Sequence, residues 1–214
     1  MKQNAFARFG GLSAVIAVAV SMLGLFTFFA GAGSGDNSTI RKALKNGSDF
    51  SQAQTGAVWL IVGMSLLIAF TVWLAHRYGA ASALVPVGAA LLALGALTHV
   101  VENLFVIGSY GSSLPAIKAG AVADTATAAS LHISSSASYI AFGFLGAGVL
   151  ATALGFLVEL DAPRWLTTWG VVAGVAGIVS AFIDFPVSQP LMLGWLIAVG
   201  VRAATVPAGS RRVA

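Results

Sequence analysis

The sequence predicts an all-α polytopic membrane protein, six transmembrane helices in a compact bundle with both termini cytoplasmic. Three observations predict it. Apolar residues make up 58% of the chain and charged residues 8%, whereas soluble domains carry about a quarter charged residues. The apolar residues gather into six runs separated by polar connections, and about 20 such residues cross a bilayer as a helix. The few basic residues lie at the chain ends and in those connections, where they act as topology signals and not as a nucleic-acid surface. Six spans leave no length for a folded soluble domain, so residues 1–214 are expected to form one transmembrane domain.

Lys2 and Arg8 precede the first span, over 9–31. Ala30-Gly31-Ala32 has the small residues of a signal-peptide cleavage site. The apolar run, however, exceeds the roughly 7–15 residues of a signal peptide and matches a full span, so a retained helix is expected. Residues 33–54 form a polar connection in which Ser38 can cap a short helix through Lys45 that stops at Asn46-Gly47. The second span covers 55–75, with Trp59 and Trp73 near its ends as interfacial anchors, and His76-Arg77-Tyr78-Gly79 makes a tight connection.

The third span covers 84–107 and is followed by an expected loop from Ser109 to Asp124, containing Pro115 and Lys118. Asp124 or Thr125 can cap a helix that continues through Leu131-His132 into the fourth span, over 131–157. Glu159, Asp161, Pro163 and Arg164 form the next turn, and Trp165 and Trp169 mark an interface at the start of the fifth span, over 166–185. A hairpin at Pro186-Val187-Ser188-Gln189-Pro190 leads to the sixth span, over 191–205, where Arg202 can snorkel to the surface. Gly170, Gly174 and Gly177 line one side of the fifth span, and Gly143, Gly146 and Gly148 slim the fourth, so these two helices are expected to pack closely.

Basic residues set the orientation. With the N-terminus inside, Lys2, Arg8, Arg77, Arg164, Arg202, Arg211 and Arg212 fall on the inner side and Arg41, Lys42, Lys45 and Lys118 on the outer side. That excess places both termini in the cytoplasm. The absence of cysteine excludes disulfides, thiolate metal sites, iron–sulfur clusters and c-type haem attachment. No nucleophile elbow, phosphate-binding glycine loop or dinucleotide fingerprint stands in a suitable context, which leans away from an enzyme.

Function points to the third span. His99, Glu102 and Asn103 fall at i, i+3 and i+4, on one helical face, inside an otherwise apolar segment. Ionisable groups in a span are costly and usually face the bundle interior or a wet cavity. At the helical rise, Glu102 lies about 7–8 Å and His99 about 12 Å from the outer end of the span. His132 and Tyr139 share nearly one face of the fourth helix, and Asp184 lies at the outer end of the fifth. These six residues are the candidate ligand- or proton-binding set.

Three chemistries fit them. Glu102 can titrate in a desolvated cavity beside His99 and Asn103, which suits a carrier or binder of a proton, lipid or small amphiphile. His99, Glu102, His132 and Asp184 can hold a divalent metal that activates water for hydrolysis of a lipid-like substrate. His99 and His132 can ligate a b-type haem, with Gly95 giving room one turn before His99. No cofactor is required by the sequence. A structural role competes with all three, because such polar groups also hold helices together by hydrogen bonds.

Glu102-Asn103-Leu104 in the third span, Leu131-His132 leading into a Tyr-containing fourth, and Pro163-Arg164-Trp165-Leu166 before a Gly-rich fifth resemble an uncharacterised family of small six-span bacterial membrane proteins. The resemblance implies six spans and an unassigned activity, and the bacterial cytoplasmic (inner) membrane is the expected location. The expected partners are membrane lipid, a small amphiphilic ligand, and other membrane subunits if the chain serves as a non-catalytic accessory or assembly subunit.

Overall fold

An apolar chain in hydrocarbon must satisfy its peptide groups internally, which a helix does within one segment. The computed structural model describes residues 2–32, 48–118, 125–158, 160, 162–183 and 187–205. Among them the chain forms six helices: α1 (Lys2–Ala32), α2 (Ser48–Tyr78), α3 (Leu84–Lys118), α4 (Thr125–Val158), α5 (Arg164–Val179) and α6 (Ser188–Thr205). Four of these contain stretches long and apolar enough to cross a membrane, Phe9–Phe28, Gln52–Tyr78, Leu84–Gly108 and Ser136–Val158. The all-α class is as expected. The short helix expected from Ser38 to Lys45 lies outside the described residues.

Several boundaries differ from the sequence reading. α3 runs on to Lys118, through Ser109 and Pro115, where a loop was expected. Proline removes only the bond to the carbonyl one turn back, and the helix ends three residues later. α4 is described from Thr125, and the expected cap at Asp124 lies outside the described residues. α5 stops at Val179 and gives way to turns at Ser180 to Phe182, so it is shorter than the expected 166–185. The Ser180 hydroxyl donates to the carbonyl of Ala176 or to the hydroxyl of Ser188, 3.0 and 2.6 Å away, tying the end of α5 to the start of α6. Ser82 caps α3 by accepting the amide of Val85 at 3.1 Å.

The chain divides into two compact units. The first comprises residues 1–18, 65–97 and 139–214, and the second comprises 19–64 and 98–138. Helices α1 to α4 contribute to both, whereas α5 and α6 belong to the first alone.

In the first unit glycines set the helix neighbours. A Cβ on Gly88 would lie 2.8 Å from the carbonyl oxygen of Gly148, which joins α3 to α4. One on Gly146 would lie 2.6 Å from the carbonyl carbon of Gly177, and one on Gly174 would lie 2.6 Å from the amide of Leu150, which joins α4 to α5 as expected. Gly148 thus packs on α3, not on α5. One on Gly200 would lie 2.8 Å from the carbonyl oxygen of Gly11, so α6 returns to α1. Trp195, fully buried, fills the space above Gly170 and donates its indole N–H to the carbonyl of Leu166 at 2.8 Å.

Trp73 corrects an expectation. It is 4% exposed and lies over Gly10 of α1, so it is a core side chain and not an interfacial anchor. The missing side chain at Gly10 leaves room for the indole. Trp59, in the second unit, is 40% exposed.

The second unit is built on the same terms. A Cβ on Gly24 of α1 would lie 2.7 Å from the amide of Leu60 on α2, and one on Gly56 would lie 2.8 Å from the carbonyl oxygen of Gly24.

Burial along the helices follows alternating steps of four and three residues. On α2 the inward positions are Ala53, Ala57, Leu60, Met64, Leu67, Thr71 and Leu74. On α3 they are Val85, Ala89, Leu92, Ala96, His99, Asn103 and Val106. This is the spacing of left-handed helix packing. On α1 small residues, Ala14, Ala17 and Ser21, point inward, while Phe9, Leu12, Ile16, Leu23 and Phe26 point out.

Two substitutions test this packing. Gly146→Leu must displace the α5 backbone and is expected to lower the unfolding midpoint of the purified protein sharply, by more than the about 1–3 kcal/mol usual for overpacking. Leu12→Ala, on an outward face, is expected to leave it within about 0.5 kcal/mol. Trp195→Phe keeps most of the ring but loses the bond to Leu166, and a loss of about 1 kcal/mol is expected in the same unfolding measurement.

Candidate functional site

The site grows from the inward face of α3. His99 and Asn103 occupy two successive inward positions, and they are 7% and 6% exposed. Glu102 stands beside that row and folds back towards it. Its Oε2 lies 2.7 Å from His99 Nδ1, and the two side chains are 16% and 8% exposed. Asn103 donates from Nδ2 to the backbone carbonyl of His99 at 2.8 Å. The spacing of three and four residues produces both contacts within a single helix.

A separation of 2.7 Å is that of a charge-assisted hydrogen bond. A proton must lie between the two atoms. Either Nδ1–H donates to a carboxylate or a protonated carboxyl donates to Nδ1. Asn103 holds the backbone beneath the imidazole and adds no charge.

The apolar stretch of α3 ends at Gly108, six residues beyond Glu102, or about 9 Å along the axis. The helix itself continues to Lys118.

Of the six expected site residues, the structure brings His99, Glu102 and Asn103 together. Tyr139, on α4, is 41% exposed. The helical backbone of His132 belongs to the same unit as His99, while its side chain lies outside the described residues, as does Asp184. Among the described residues no three His, Asp or Glu side chains converge. Two members of the proposed metal set, and one of the haem pair, fall among the undescribed side chains. Gly95 does not leave room for a haem. A Cβ there would lie 2.9 Å from Leu145 Cδ2, so that space is filled by α4.

Sequence reasoning missed one grouping. Arg77 and Tyr78 at the end of α2 stand in one unit with Arg202 in the last turn of α6 and Phe156 of α4. The Tyr78 and Phe156 rings meet edge to face at 5.4 Å, and Phe156 lies 6.3 Å from Trp195. No periodicity signals this, because the residues come from three separate helices.

No family model, curated protein or solved structure matches this chain.

Removing the partner from a buried ring nitrogen costs about 1–3 kcal/mol. Glu102→Leu is thus expected to destabilise the purified protein by about that amount in thermal or denaturant unfolding, whereas Glu102→Gln, which still offers a hydrogen-bonding group to Nδ1, should cost about 1 kcal/mol or less.

Proposed function

We propose that this chain is a multi-pass protein of the bacterial cytoplasmic membrane, with six spans and both termini inside, that binds and carries a proton through Glu102 and His99. A small amphiphile or lipid is the accompanying cargo class. Kinship with the six-span family suggested by its short motifs belongs to the same proposal. The observation that carries it is the His99–Glu102 pair at 2.7 Å, set in the apolar stretch of α3. Burying such a pair is costly unless the geometry is good, and charged groups at membrane depth mark proton relays and ligand sites.

α5 and α6 are the two spans whose length is least generous, at 16 and 18 residues. The turn from Ser180 to Phe182 extends α5 towards bilayer thickness, and helices somewhat short of it are accommodated by local thinning.

A second reading has its own support. His99 and Asn103 sit on the packing row itself, where polar residues fix register between helices. On that reading the cluster sets the assembly of a non-catalytic subunit.

Proteoliposomes containing a pH-sensitive dye separate the two. An imposed pH gradient is expected to collapse faster with the wild-type protein than in protein-free vesicles, and Glu102→Gln should restore the slow rate. Equal rates for wild type and Glu102→Gln would leave only the register role. Orientation is checked by reporter fusions after Lys45 and after Arg77, which are expected to report the outside and the cytoplasm respectively.

A further inference from the structure

We infer that the cargo amphiphile is a protonated amine, whose N–H donates to Glu102 Oε1 and whose apolar body lies along Val101 and Phe105 of α3. The inference rests on the proposed reading of Glu102 as a binding group, and it names the chemical class of what is bound there.

The pair with His99 uses one oxygen of the carboxyl group. Glu102 Oε2 lies 2.7 Å from His99 Nδ1, while Oε1 accepts no hydrogen bond among the described residues. Whichever atom of the pair carries the shared proton, Oε1 keeps its lone pairs, since one arrangement leaves a carboxylate and the other a carbonyl oxygen. An acceptor without a donor in an apolar setting is costly. Oε1 is therefore the unmet acceptor of the cluster.

The residues beside it select what can use it. The Glu102 side chain is 16% exposed against 8% for His99, so the carboxyl group is the member of the pair that can be reached from outside the packing row. Phe105 follows Glu102 by three residues and Val101 by four, so the three side chains adjoin on one flank of α3. Phe105 is 42% exposed and Val101 41%. On the other flank lie the buried His99 and Asn103. Glu102 thus stands where packed polar residues give way to an exposed apolar strip. All five residues belong to the second unit and to one helix, so their adjacency follows from the helical turn.

This arrangement complements an amphiphile with a cationic head. An ammonium N–H donates to Oε1 in a charge-assisted bond, which is about twice as strong as a neutral one. The Phe105 ring adds cation–π attraction for a head group held one turn away, and an alkyl or aryl tail covers apolar surface on Phe105 and Val101. An alcohol supplies the donor without the charge. A carboxylate or phosphate head meets Glu102 with like sign.

Equilibrium dialysis of the full chain in a neutral maltoside detergent, with no pH gradient, tests this with probes of one shape: phenylbutylammonium, phenylbutanol and phenylbutyrate. Wild type is expected to bind the ammonium about tenfold more tightly than the alcohol, and the carboxylate more weakly still. Glu102→Gln should weaken ammonium binding about tenfold and remove its advantage over the alcohol. Phe105→Leu should weaken it about threefold, the worth of an exposed cation–π contact, while Leu104→Ala, on the opposite side of α3, leaves it within about twofold. An unfolding midpoint measured on each variant identifies any that fail to fold, and Phe105→Leu carries the test if Glu102→Gln is one of them. The inference is overturned if wild type does not prefer the ammonium to the alcohol, or if folded Glu102→Gln keeps the wild-type affinity. Dialysis reads no proton flux, so the two readings fail separately. A wild type that collapses an imposed pH gradient but shows no preference for the ammonium loses this inference alone, and one that binds the amine through Glu102 without collapsing the gradient keeps it and loses proton carriage.

Discussion

Close backbone approach is the constraint on which this molecule depends. Helices surrounded by hydrocarbon gain little from hiding apolar side chains from one another, and they adhere through van der Waals contact and a few polar bonds. Contact of that kind requires small residues. Gly88 against Gly148, Gly146 against Gly177 and Gly11 against Gly200 bring main chains together in the first unit, and Gly24 against Gly56 does so in the second. Bulky residues are consequently displaced outward, as Phe9, Leu12 and Phe26 are on α1. The arrangement reverses the large-inside habit of soluble cores along that helix.

Against this background the polar cluster is conspicuous. The inward row of α3 consists of Val, Ala and Leu until it reaches His99 and Asn103. Placing an imidazole and an amide on a packing surface replaces dispersion contacts with directional bonds. The structure meets that cost locally, through the 2.7 Å contact with Glu102 and the 2.8 Å bond from Asn103 to the helix's own backbone. Both bonds are internal to one helix.

The end of α2 follows a different logic. Aromatic rings of α2, α4 and α6 hold the structure there. Here rigidity comes from ring packing. At the polar cluster it comes from hydrogen bonds within a helix.

Residues close in sequence were legible without coordinates. The helical class and the shared face of His99, Glu102 and Asn103 both follow from composition and from spacing within a few residues. The extension of α3 past Pro115 was not legible, because a proline near a helix end costs one bond and tertiary packing decides whether that is tolerated. Nor was the burial of Trp73, since an apolar helix looks alike on every side and only Gly10 on another helix creates the space. The sequence by itself determined which segments are helical and which polar groups lie on a common helical face, because those are local consequences of the 3.6-residue turn. Only the tertiary structure decided which face is buried and that the Tyr78 ring meets Phe156 edge to face. Where every side of a helix is apolar, shape complementarity between distant glycines and rings chooses the neighbours.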